Sequence, residues 1–153
     1  MAKADSDPIS DDEWFLRRIH VDRFRNQDGV LEVTANAFEP RFKGRDPDTD
    51  GISLYRAACL DNPEEILKFV PEEKWPNNGI VRISKGHLIK LGLSIFPCPD
   101  PKAPIPGHVV IPELNALDYK SDASKFTYHK EGLAKAASEK GNIVRIPPAL
   151  TST

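Results

Sequence analysis

The sequence predicts an α+β domain in which a small mixed sheet carries two to three short helices and a rigid proline-rich connector. Three observations lead there. Runs rich in β-branched residues, such as Val30-Leu31-Glu32-Val33 and Ile80-Val81-Arg82-Ile83, are bounded by turn residues and are too short for helices. Between such runs stand segments with the start and stop chemistry of helices. Six of the fourteen prolines fall between Phe96 and Pro112. Each fixes its own φ and biases its predecessor toward extended geometry, so this stretch is a stiff connector, neither helix nor interior strand.

Residues 1–12 hold Asp5, Asp7, Pro8, Asp11 and Asp12 and read as a flexible acidic arm; one domain spans 13–148, and 149–153 is a tail. Residues 14–21 read as a strand or short helix, Gln27-Asp28-Gly29 as a turn and 30–34 as a strand, the two segments pairing as a hairpin. Residues 41–51 form a charged loop punctuated by Gly44, Pro47 and Gly51, and 52–60 is an ordered piece of unassigned type. Asn62 as N-cap, Pro63 at the first helical position and Glu64 and Glu65 in the first turn mark a helix that Pro71 stops. Strand 80–83 runs into Ser84, the cap of a helix over 85–91 closed by Gly92, followed by a strand over 93–96. A helical connection permits these two strands to lie parallel as a βαβ unit, and an antiparallel arrangement stays open. After the connector come a strand over 107–111, a helix over 131–140 ended by Gly141, and a strand over 143–146 ended by Pro147-Pro148.

A chain of 153 residues suits one domain. Its net charge of −2 gives no overall attraction to phosphate backbones or anionic lipid. Arg17, Arg18, Arg23, Arg25, Arg41, Lys43 and Arg45 are interleaved with Asp22, Asp28, Glu32 and Glu39, which argues against a nucleic-acid face. No apolar run approaches the about 18 residues of a membrane span and the first residues hold no apolar leader, so a cytoplasmic protein with no membrane partner is expected. Cys59 and Cys98 sit beside apolar neighbours and read as reduced packing residues.

Asp46-Pro47-Asp48-Thr49-Asp50-Gly51 matches the first half of a calcium loop, but the twelfth position is Ala57 where a bidentate glutamate belongs, so an Asx-type surface turn is the reading. His20, His87, His108 and His129 show no zinc spacing with one another or with the cysteines, and neither metal nor cofactor is expected. His20 and His108 each border an apolar strand, a rigid mount for a proton-transfer group, and Arg17 and Arg18 lie close to His20. An arginine and histidine facing one groove could bind and protonate a phosphate or pyrophosphate group. Pro101-Lys102-Ala103-Pro104 is formally a P-x-x-P run, and with Pro106 and His108 it forms a rim suited to another protein.

Arg18-Ile19-His20, Ala37-Phe38, Gly51-Ile52-Ser53, Leu91-Gly92-Leu93 and Pro106-Gly107-His108 follow in an order that resembles a set of small uncharacterised bacterial proteins, over residues 16–111. The resemblance implies one bacterial domain and brings no established activity.

Two functions are open at this point. One is a non-enzymatic binding or accessory module of a bacterial multi-component system, acting on a protein partner through Pro101, Lys102, Pro104, Pro106 and His108. The other is an enzyme acting on a phosphorylated or nucleotide-like substrate, of ADP-ribosyl or phosphotransfer type, using His20, His108, Arg17 and Arg18. The enzyme reading expects these side chains to converge on one concave pocket.

Overall fold

The computed structural model describes residues 3–41 and 47–151. The strands are β1 (Trp14–His20), β2 (Phe24–Gln27), β3 (Val30–Val33), β4 (Ile52–Arg56), β5 (Asn78–Ser84), β6 (Phe96–Pro97), β7 (His108–Ile111) and β8 (Ile143–Arg145); the α-helices are α1 (Lys85–Lys90), α2 (Ala116–Ser121), α3 (Thr127–Ser138) and α4 (Pro148–Thr151). The chain is α+β. Its main sheet has six strands in the order β6-β7-β4-β1-β5-β8, and every neighbouring pair is antiparallel.

The central strands pack on both faces. On one, Phe15, Ile19, Leu54, Val81 and Val109 pack with Phe38, Leu88, Phe126 and the α3 residues Leu133, Ala134 and Ala137. On the other, Leu16 and Ile80 pack with Ile66 and Leu67 of the 3₁₀ segment Pro63–Phe69 and with Ile105 of the proline-rich connector. Ile105 is the connector's anchor: it is buried while Pro101, Lys102, Pro104 and Pro106 are exposed. The backbone bond from Cys98 N to His108 O at 2.9 Å ties the connector's start to β7.

Local signals hold where they are strong. Asn62 accepts from Glu64 N at 2.9 Å while Glu65 accepts from Asn62 N, a capping box, although the turns it starts are 3₁₀. Ser84 caps α1 by accepting from His87 N, and Gly92 takes positive φ as its terminator; Gly141 also has positive φ but lies in the turn beyond the extended cap Glu139 that ends α3. Pairing differs from expectation in two places. The Asp28-Gly29 turn, with both residues at positive φ, joins β2 to β3, so the hairpin partner of β3 is Phe24–Gln27 and not Trp14–His20. The segment after α1 reaches the sheet only as β6, with three strands between it and β5, so no adjacent βαβ unit forms. The helix expected over 131–140 runs from Thr127 to Ser138, starting and ending earlier.

The acidic arm is tied down through Arg56, whose side chain is fully buried. Its guanidinium makes two bonds to Glu13, Nε to Oε1 at 2.7 Å and Nη2 to Oε2 at 2.8 Å, and its remaining donors reach the carbonyls of Asp5, Asp7 and Pro8 at 3.2, 2.6 and 3.1 Å.

Candidate active site

The pairing register sets the site. Ser53 stands opposite Val110 and Tyr55 opposite His108, so Ser53 and His108 are diagonal neighbours on one face of the β4–β7 pair. Ile52, Leu54 and Arg56 take the other face and are fully buried, which leaves Ser53 and Tyr55 pointing away from the main core.

His108 Nδ1 lies 2.6 Å from the Cys98 carbonyl oxygen and Nε2 lies 2.8 Å from Ser53 Oγ. A carbonyl only accepts, so the proton is on Nδ1 and Nε2 faces the serine hydroxyl with a lone pair. This is the arrangement of a hydroxyl, its base and an orienting group. The ring is wedged against Tyr55 at 5.3 Å between centroids, and Tyr55 against Phe69 at 5.0 Å. Gly107 sets the entry to β7: it has φ +93°, its N–H donates to Asp5 Oδ1 at 2.6 Å, and its oxygen accepts from Arg56 N at 2.8 Å.

Ser53 and His108 open into a cleft of about 690 Å³ whose lining includes Arg17, Arg18, Tyr55, Phe69, Asp48 and Asp100. Arg17 reaches it because the β1–β4 ladder stops after Phe15 opposite Arg56 and Leu16 opposite Tyr55. Beyond that point its side chain bonds a β4 carbonyl and one from the 3₁₀ segment Ala35–Phe38, Nη1 donating to Ser53 O at 2.7 Å and Nε to Ala37 O at 2.9 Å. Arg18 Nη1 donates to Asn78 Oδ1 at 2.9 Å. Among the described residues neither guanidinium pairs with a carboxylate. Burial pushes the Arg17 guanidinium down to about 10, with Asp48 pulling the other way and Arg18 and Arg41 adding to the push. Burial also lowers Arg18. Burial, reinforced by Asp100, pushes the Tyr55 phenol up to about 12, so it stays a donor.

The cleft also holds Glu39, Arg41, Asp48 and Asp50. Tyr119 donates to Glu39 at 2.7 Å, Arg41 N to Asp48 at 2.7 Å and Lys102 N to Asp100 at 3.0 Å. Asp50 and Asp100 are exposed at the mouth, whereas Arg17, Arg18, Ser53 and His108 are half-buried.

Of the four side chains expected to converge, Arg17, Arg18 and His108 do and His20 does not. His20 ends β1 opposite Asn78, on the side where β1 has left β4; its exposed ring accepts from Asp22 N at 3.2 Å and caps the turn that follows. Pro101, Lys102, Pro104 and Pro106 lie outside the cleft, to which their loop contributes Asp100. Arg25 pairs with Glu32 on the hairpin, away from Arg17 and Arg18; Lys43, Arg45 and the first aspartate of the calcium-like stretch lie outside the described residues. Among the described residues no three His, Cys, Asp or Glu side chains form a metal cluster. Ser53, Tyr55 and Phe69 are the site residues that sequence reasoning missed. The alternation Ile-Ser-Leu-Tyr-Arg was the available signal, since it puts Ser53 and Tyr55 on one face of a strand.

No protein-family model, curated protein or solved structure matches this chain.

Proposed function

We propose that the chain is an enzyme acting on a phosphorylated, nucleotide-like substrate, of the phosphotransfer or ADP-ribosyl type, in the cleft of Arg17, Arg18, Ser53 and His108. One observation carries the reading: a serine–histidine pair, its Nδ1 held by a backbone carbonyl, opens into the same cleft as two guanidiniums that, among the described residues, hydrogen-bond to neutral acceptors. A phosphate matches them, because it brings a directly bonded anion and accepts the planar fork of arginine. Its arrival also offsets the cost that burial imposes on both cations.

The remaining lining favours a nucleotide over a bare anion. Phe69 and Tyr55, their rings tilted by 43° to one another, offer aromatic surface on which a base can pack. The carboxylates of Asp48, Asp50 and Asp100 offer acceptors for ribose hydroxyls. His108 Nε2 takes a proton from Ser53 or from a substrate hydroxyl and returns it to the leaving oxygen.

Calorimetric titration with ADP, ADP-ribose and inorganic pyrophosphate tests the reading. Binding of at least one nucleotide is expected, weakened roughly 10- to 100-fold by Arg18→Ala, the loss of one charge-assisted contact. Turnover followed by phosphorus NMR should disappear in His108→Asn. Failure of all three ligands to bind would discard the proposal.

A second reading rests on the exposed loop of Pro101, Lys102, Pro104 and Pro106, held stiff by buried Ile105. It suits an accessory module that presents this rim to a protein of the same bacterial system. Affinity capture with the intact chain, compared with Ile105→Ser and Lys102→Glu, would recover one stoichiometric partner from the native host only in the intact form.

A further inference from the structure

We infer that Ser53 is a covalent nucleophile, forming a seryl–phosphoryl intermediate with the substrate; this rests on the cleft being a phosphate-substrate site. Ser53 is the hydroxyl that His108 Nε2 faces at 2.8 Å, and it lies in the same cleft as Arg17 and Arg18. A structural serine in a strand needs only one neutral partner. Here the partner is an imidazole whose far nitrogen is held at 2.6 Å from a backbone oxygen, so that in the neutral ring Nε2 turns its lone pair to the hydroxyl. Arg17 adds a second constraint, because its Nη1 donates to the carbonyl of Ser53 itself at 2.7 Å. The strand position of the nucleophile and one phosphate-binding cation are thus set by a single contact.

The chemistry balances with water as the only co-reactant. Ser53 Oγ attacks phosphorus, the Oγ–P bond forms as the bond from phosphorus to the leaving oxygen breaks, and the hydroxyl proton passes to His108 Nε2 and on to the leaving oxygen. Water then attacks phosphorus, gives its proton to Nε2, and the Oγ–P bond breaks with that proton returned to Ser53. Arg17 and Arg18 hold the phosphoryl oxygens through both halves.

Diisopropyl fluorophosphate tests the nucleophile without knowledge of the natural substrate. In the reaction Ser53 Oγ bonds phosphorus, the P–F bond breaks, fluoride leaves and the proton goes to His108. Intact mass and peptide mapping should find one adduct on Ser53, none in Ser53→Ala, and protection by saturating ADP. His108→Asn keeps a donor for the Cys98 carbonyl but has no atom at the Nε2 position, and labelling should slow by about 100-fold or more. Circular dichroism of both variants separates this effect from misfolding, and wild-type labelling stands by itself if a variant unfolds. Absence of an adduct while ADP binds calorimetrically overturns the nucleophile and leaves the nucleotide reading intact. An adduct on Ser53 without ADP binding or protection keeps the nucleophile and overturns the nucleotide reading. Labelling elsewhere, or equal rates in folded His108→Asn, overturns the inference.

Discussion

Arg56 is a cation placed where an isolated charge costs most, and its partners explain how the fold tolerates it. Glu13 supplies a bidentate carboxylate and the arm supplies carbonyls, so every described donor is directed at an acceptor. Removing the carboxylate leaves the guanidinium buried and half-satisfied; Glu13→Ala should cost about 3–5 kcal/mol, read from the shift of a urea unfolding midpoint. The same residue sets an acid limb. Burial alone would raise the Glu13 pKa, but the bond from Arg56, the Ser10 N–H and the charges of Arg56 and Lys3 outweigh it and hold the carboxyl below its usual value. The unfolded chain then binds the Glu13 proton at higher pH than the folded one, so this stabilisation is complete above the ordinary glutamate pKa and is lost as pH falls through the lowered folded value. Unfolding free energy followed from pH 7 downward should therefore drop less steeply in Glu13→Gln than in the parent; equal slopes would show that another carboxylate governs the acid limb.

Turns and caps separate two kinds of glycine. Gly29 has φ +81° with open space around its missing Cβ, so Gly29→Ala should cost only the backbone term, about 1 kcal/mol. Gly107 has φ +93°, and a Cβ there would meet the Cys59 Cβ at 2.9 Å and the Arg56 backbone at 3.3 Å, so Gly107→Ala should cost about 3 kcal/mol and also move His108. Thermal melts of the two variants check the ranking; equal losses would refute the steric account. The contrast also explains what was legible beforehand. Asn62, Ser84, Gly92 and Asp28-Gly29 act on residues within a few positions of themselves, and each was placed from local letters. Strand partners are chosen by side chains distant in sequence, so β1 was matched to the wrong partner, and β4 had no assigned type although it carries Ser53 and Tyr55. The arginines and His108 could be named as chemistry-bearing residues, but their convergence depends on where the β1–β4 ladder stops, a non-local event. The same event removed His20.

At the scale of the whole molecule, the arm, the buried arginine and the candidate site form one mechanical chain. The arm's carbonyls hold the Arg56 side chain, the Arg56 N–H holds the Gly107 oxygen, and Asp5 holds the Gly107 N–H, one residue before the imidazole. The connector closes the loop from the other side, with the Cys98 carbonyl on His108 Nδ1 and Ile105 in the second core. Deleting residues 1–8 therefore removes support from both the core and the site. Glu13 remains to pair with Arg56, so the loss should fall at the low end for a broken buried pair, about 3 kcal/mol. For a domain of this length that corresponds to a fall in melting temperature of about 6–12 °C. Calorimetry of the truncated chain gives the stability change, and the ring-proton NMR signals of His108 give the local one. The two should move together, whereas Asp5→Ala, which leaves the Arg56 contacts in place, should shift the His108 signals with a smaller change in melting. A truncated chain with an unchanged melt and unchanged ring signals would mean that the arm decorates the domain without bracing it.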